Sequence, residues 1–148
     1  MSLALGQPAY GASWGAAIAR FFGKYATFRG RASRSEYWWW ALTNALIGIA
    51  LNILAGAVGA DDMQRIPIAL PLAGGPSGPV TSVVGAIALV YALATLLPNL
   101  ALTWRRLHDT DRSGGWFFLV LVPIVGWIVL FFFLIGRPRP EGVRFDRV

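Results

Sequence analysis

The chain has 148 residues, of which 56% are hydrophobic and 14% charged, with a formal net charge of +6 and no cysteine. The missing cysteines exclude a disulfide framework and a thiolate metal site, and the length allows one small domain with nothing appended. A single histidine, His108, with no cluster of carboxylates beside it, predicts no metal and no cofactor.

Residues 1–13 are small and glycine-containing, and little order is expected of them. The first basic residue is Arg20, so no charged segment precedes an apolar core as a cleavable leader would require. From Trp14 the apolar residues Trp14, Ile18, Phe21, Phe22 and Tyr25 fall on one helical face, with Arg20 and Lys24 off it. This predicts a short amphipathic helix over 14–26, suited to a membrane surface.

A basic turn follows, carrying Arg29, Arg31 and Arg34. Within it Ser33 and Glu36 have the S-x-x-E spacing of a capping box directly before an apolar run. The Ser33 hydroxyl would accept from the Glu36 N–H, and the Glu36 carboxylate would reach back to the Ser33 N–H.

Three stretches, 37–60, 66–104 and 113–136, carry no charged residue. A helix crossing the hydrocarbon core needs about 20 mainly apolar residues. The stretches predict three transmembrane helices over about 37–58, 80–104 and 116–136, the first a retained anchor that opens on Trp38, Trp39 and Trp40 at headgroup level. Asn44, Gly48, Asn52 and Gly56 recur every fourth residue, a stripe suited to close helix packing in lipid. The connector 59–79 is broken by Pro67, Pro71, Pro76 and Pro79, and its apolar piece 66–72 is too short to span. Pro98 should bend the second span, and Pro123 with Gly126 the third. The fold class is therefore all-α integral membrane protein: one membrane domain over 14–136 and a basic tail over 137–148.

The cations before the first span and in the loop after the second outnumber those of the connector and the tail, which predicts a cytoplasmic N-terminus. With three spans, the tail falls on the opposite side.

Two motifs, Gly30-Arg31-Ala32-Ser33-Arg34-Ser35-Glu36-Tyr37-Trp38 and Arg105-Arg106-Leu107-His108-Asp109-Thr110-Asp111-Arg112-Ser113-Gly114-Gly115-Trp116, closely resemble those of a bacterial inner-membrane family of unknown function, number 805, the YhaH-like proteins. Pro123-x-x-Gly126-Trp127 matches as well, so the resemblance covers roughly residues 14–145; Val143 stands where the family usually has asparagine. It implies a bacterial inner-membrane location and a helical fold but no activity.

The candidate site is a paired charged face at the cytoplasmic interface: Arg29, Arg31, Arg34, Arg105, Arg106, His108, Asp109 and Arg112, with Ser33 and Glu36 as capping residues. Arginine forks suit phosphate and carboxylate alike, so the partners expected are anionic lipid headgroups, a second copy of the chain or a membrane-protein partner, and not nucleic acid. His108 and Asp109 are adjacent, no nucleophile completes a catalytic set, and no enzyme is expected. The alternative is a subunit or oligomer that moves a small solute along the Asn44/Asn52 stripe, although no ionisable residue lies mid-span.

Overall fold

The structure, a computed structural model, describes residues 7–57 and 83–146. The connector read from sequence as broken and interfacial therefore lies outside the described residues. Among those residues the chain is wholly helical: α1 Trp14–Gly23, α2 Arg34–Ala57, α3 Val83–Asp109, a 3-10 helix Gly114–Leu121, α4 Val125–Ile135 and a second 3-10 helix Pro140–Asp146. They divide into two compact units, Met1–Trp40 with Pro98–Val148 as unit 1 and Ala41–Leu97 as unit 2. Both α2 and α3 pass through both units.

α2 and α3 have 24 and 27 residues and are long and apolar enough to cross a membrane. At 1.5 Å per residue they measure about 36 and 40 Å, against roughly 30 Å of hydrocarbon. Many of their large apolar side chains are exposed, and several of their buried positions are small residues. In unit 2, Leu46, Ile53, Val90 and Leu93 are exposed, whereas Gly48, Ala55, Gly85 and Ala88 are buried. A water-soluble core helix would do the reverse; small inward residues let helix backbones approach in lipid.

Asn44, Asn52, Tyr91 and Thr95 form hydrogen bonds within unit 2. Tyr91 donates its hydroxyl to Asn44 Oδ1 at 2.6 Å. The Asn52 amide donates to the Gly48 carbonyl one turn back at 2.8 Å, and Thr95 donates to the Tyr91 carbonyl at 2.8 Å. Only the first half of the four-residue stripe is buried: Asn44 and Gly48 face inward, Asn52 and Gly56 outward.

Unit 1 departs from the sequence expectation in three ways. First, residues 7–13 are held rather than loose. Ala9 N–H donates to Glu36 Oε1 at 2.6 Å, the Ala9 carbonyl accepts from Ser33 Oγ at 2.6 Å, and Ala12 N–H donates to Ser35 Oγ at 2.9 Å. Ser13 then caps α1 by accepting from Ala16 N–H, and α1 ends at Gly23, before residue 26. Phe21 stacks on Trp40 with centroids 3.5 Å apart, whereas Trp14 and Phe22 are exposed.

Second, α3 does not stop at Trp104. It runs to Asp109, so Arg105, Arg106, His108 and Asp109 stand on a helix rather than in a loop.

Third, residues 116–136 do not form one helix. Pro123 interrupts the run and Ile124 takes a φ of +64°, a left-handed conformation rare for a β-branched residue. The chain doubles back there. A Cβ on Gly126 would lie 1.8 Å from the Leu119 carbonyl oxygen, and Trp127 Nε1 donates to the Val120 carbonyl at 2.9 Å. α4 is then 11 residues long, about 16 Å, half of what a span needs. Both ends of the run meet the end of α3. A Cβ on Gly114 would strike the Trp104 indole, and the Gly136 carbonyl accepts from Arg106 Nη2 at 2.7 Å.

Candidate functional site

Because the third apolar segment turns back, the tail returns to the charged end of the helices. Gly30 N–H donates to the Phe145 carbonyl at 3.0 Å, and Arg139 N–H to the Asp109 carbonyl at 2.9 Å. The sequence reading placed the tail on the far side from the N-terminal segment; in the structure residues 7–36, 105–112 and 137–146 share one platform in unit 1.

Asp109 is its centre. It is fully buried and forms a short ion pair with Arg106, three residues earlier on the same helical face. It also accepts from the Tyr10 hydroxyl at 2.7 Å, and Arg31 Nη1 lies 3.8 Å away. Burial, reinforced by the bond to Asp109, pushes the Tyr10 phenol up to about 12. Arg106, itself buried, donates further to the Leu134 carbonyl at 3.0 Å and the Ala32 carbonyl at 3.4 Å. Arg34 donates to the Ile135 and Gly136 carbonyls. Two arginines thus satisfy the last carbonyls of α4, which a helix end otherwise leaves open.

Arg31 is committed to the tail. Its Nε donates to Asp146 Oδ2 at 2.8 Å, a bond that holds its guanidinium more firmly protonated than usual. His108 has a structural position: Nδ1 lies 3.0 Å from the Gly30 carbonyl, and its ring stacks on Phe145 with centroids 4.0 Å apart. Arg112 lies 3.7 Å over the Phe133 ring. Arg29 is exposed. Of the face read from sequence, Arg31, Arg106, His108 and Asp109 therefore serve the platform itself.

Half of the capping box forms. Ser33 Oγ accepts from Glu36 N–H at 3.2 Å, but the Glu36 carboxylate turns to Ala9 N–H and to Arg20 Nε at 2.9 Å instead of returning to Ser33. Because Ser33 Oγ also donates to the Ala9 carbonyl, Ser33→Ala removes a cap and a tether together. We expect a loss of about 0.5–2 kcal/mol, seen as a lower unfolding temperature in detergent, and no loss would show that neither bond carries stability.

Sequence reasoning missed Tyr10, Arg20, Lys24 and Asp146. A signal existed for Lys24, since Ala17, Phe21 and Lys24 lie at i, i+4 and i+7 and form the buried side of α1. Burial is the main cause that lowers the Lys24 ammonium from 10.5 to about 8, with Arg105 adding to it. The unfolded chain keeps that proton up to about its ordinary value, so unfolding takes up a proton between pH 8 and 10.5. Stability should therefore rise with pH across that window. Lys24→Met should lose this rise relative to the parent; parallel pH profiles for the two proteins would refute the account of Lys24.

Among the described residues no group of three or more metal-ligating side chains occurs, and the described residues of unit 2, 41–57 and 83–97, include no charged one. An all-helical chain with two membrane-length apolar helices and its charges gathered at their ends defines a helical membrane protein.

The chain belongs to the family described as protein of unknown function (DUF805), whose model matches residues 25–147. It is similar to the inner membrane protein YhaI of Escherichia coli (strain K12), 41% identical over 109 residues covering 74% of each chain. It is also similar to the inner membrane protein YhaH of the same organism, 36% identical over 121 residues covering 82% of this chain and 85% of the other. No solved structure matches it.

Proposed function

We propose that the chain is a non-enzymatic inner-membrane protein, a two-span hairpin with both termini in the cytoplasm, whose cationic platform rests on anionic lipid headgroups. The observation that carries this is the distribution of charge. Every lysine and arginine among the described residues lies in unit 1. Cations beside the ends of spans are retained on the cytoplasmic side, where each adds about 1 kcal/mol of attraction to an anionic leaflet.

Of the exposed arginines, Arg34 and Arg144 bond within the platform, and Arg29, Arg137 and Arg139 are left to meet lipid. In nanodiscs, phosphatidylglycerol should raise the unfolding temperature of the parent above its value in phosphatidylcholine. The triple variant Arg29→Gln/Arg137→Gln/Arg139→Gln should lose most of that difference. An equal unfolding temperature of the parent in both lipids would end this reading. The solute-moving alternative gains no support from unit 2, where Asn44 and Asn52 are already hydrogen-bonded to Tyr91 and Gly48.

A further inference from the structure

Four charged side chains of unit 1 meet out of balance. Arg20 and Lys24 come from α1 and its C-terminal cap, Glu36 from the first turn of α2, and Arg105 from the end of α3. Glu36 Oε1 is fully used, accepting from Ala9 N–H at 2.6 Å and pairing with Arg20 Nε at 2.9 Å. Its Oε2 is buried and accepts from nothing. Arg105 is 0% exposed. Its Nε reaches back to the Ala101 carbonyl at 3.2 Å, while Nη1 and Nη2, both buried, donate to nothing. Glu36 and Arg20 are its charged neighbours. Lys24, 2% exposed, has Arg105, Glu36, Arg20 and Asp146 around it, and Asp146 is already held by Arg31.

The cluster thus opposes three cations with one carboxylate of its own. Buried charges are matched by partners in native proteins, and a guanidinium with both terminal nitrogens empty lacks one. The empty groups also state the shape of what is missing. A guanidinium fork donates two parallel hydrogen bonds to a tetrahedral or planar oxyanion. The free Glu36 oxygen would repel a bare anion but accepts from a hydroxyl.

We propose that Arg105, Lys24 and Glu36 form a buried site for a phosphate group that carries a hydroxyl. Arg105 Nη1 and Nη2 donate to two phosphate oxygens, the Lys24 ammonium supplies the second positive charge, and the hydroxyl donates to Glu36 Oε2. Two sources have this chemistry: free hydrogen phosphate, through its own P–OH, and the phosphatidylglycerol headgroup, through its glycerol hydroxyls. The site uses none of the exposed cations assigned to the lipid surface, so it stands or falls separately from that assignment.

The test uses the full chain in phosphate-free maltoside, with thermal unfolding and native mass spectrometry as readouts. Probes are inorganic phosphate, phosphatidylglycerol and phosphatidylcholine, and sodium chloride controls for ionic strength. Saturable stabilisation by inorganic phosphate assigns the free ion. Stabilisation by phosphatidylglycerol alone, or its retention in the mass spectrum, assigns the headgroup. In either case half-saturation should weaken at least tenfold in Lys24→Met and in Arg105→Gln and stay unchanged in Arg144→Gln, an exposed arginine paired with Asp111 and outside both the buried site and the lipid-facing set. Lys24→Met removes only an ammonium that burial disfavours, so it keeps the test open where Arg105→Gln fails to fold. The proposal is overturned if neither probe stabilises and no phospholipid is retained, or if the two buried-site variants respond as the parent does.

Discussion

Replacing Arg106 by methionine should cost about 3–5 kcal/mol, the range for removing one partner of a buried ion pair. The loss is large because Arg106 serves several groups. Asp109 would be left with Tyr10 and a more distant Arg31 as its remaining partners. The Leu134 and Gly136 carbonyls at the end of α4 would each lose a donor. The double variant Arg106→Met/Asp109→Leu should recover part of the stability, since it removes the stranded carboxylate as well, and groups sharing a network do not add independently. Equilibrium unfolding in mixed micelles measures both. If Arg106→Met unfolds at the parent's midpoint, Asp109 is not the centre of the platform.

A second large effect is expected at Gly126. Its missing Cβ lets α4 lie against the backbone of the preceding 3-10 helix, and a methyl group there would stand 1.8 Å from the Leu119 carbonyl oxygen and 2.9 Å from its carbon. Neither atom is the end of a flexible side chain, so the turn itself must open. Gly126→Ala should therefore cost at least the roughly 1–3 kcal/mol typical of overpacking. It should also raise proteolysis at residues 122–125. Gly115→Ala, with only Ser113 Oγ in ordinary contact at 3.7 Å, is the matched control. A Gly126→Ala protein as stable and protease-resistant as Gly115→Ala would mean that the doubled-back segment is not packed as described.

The two long helices were legible in the sequence because a charge-free run of sufficient length has few other homes. The path of the third apolar run was not. Hydropathy reports what a segment dissolves in, and a segment that turns back inside lipid is as apolar as one that crosses it. Pro123 and Gly126 signalled a bend, but its angle depends on Ile124 adopting a positive φ and on contact with Leu119, neither of which periodicity encodes. That one angle brings the tail back to the end of α3 and so supplies the partners of Arg31 and His108.

The Arg106–Asp109 pair was half legible. Its i,i+3 spacing brings the side chains together only once α3 is known to continue past Trp104. The S-x-x-E motif led to a real cap but gave Glu36 the wrong second partner, because the Ala9 N–H and the Arg20 guanidinium arrive from a distant part of the sequence. Lys24 was placed off the face that Trp14, Ile18, Phe21, Phe22 and Tyr25 define, although its spacing from Ala17 and Phe21 put it with the buried residues.

The membrane path of the chain is tested most directly by cysteine accessibility, which needs no prior substitution because the chain has no cysteine. Single cysteines at Gly11, Val143 and Ala57 would be probed in intact and permeabilised cells with a membrane-impermeant maleimide. Gly11→Cys and Val143→Cys should both be protected until the inner membrane is opened, and Ala57→Cys should label from outside. Labelling of Val143→Cys from outside while Gly11→Cys stays protected would mean that residues 113–136 cross the membrane after all, and the shared platform of N-terminal segment, α3 end and tail would not exist.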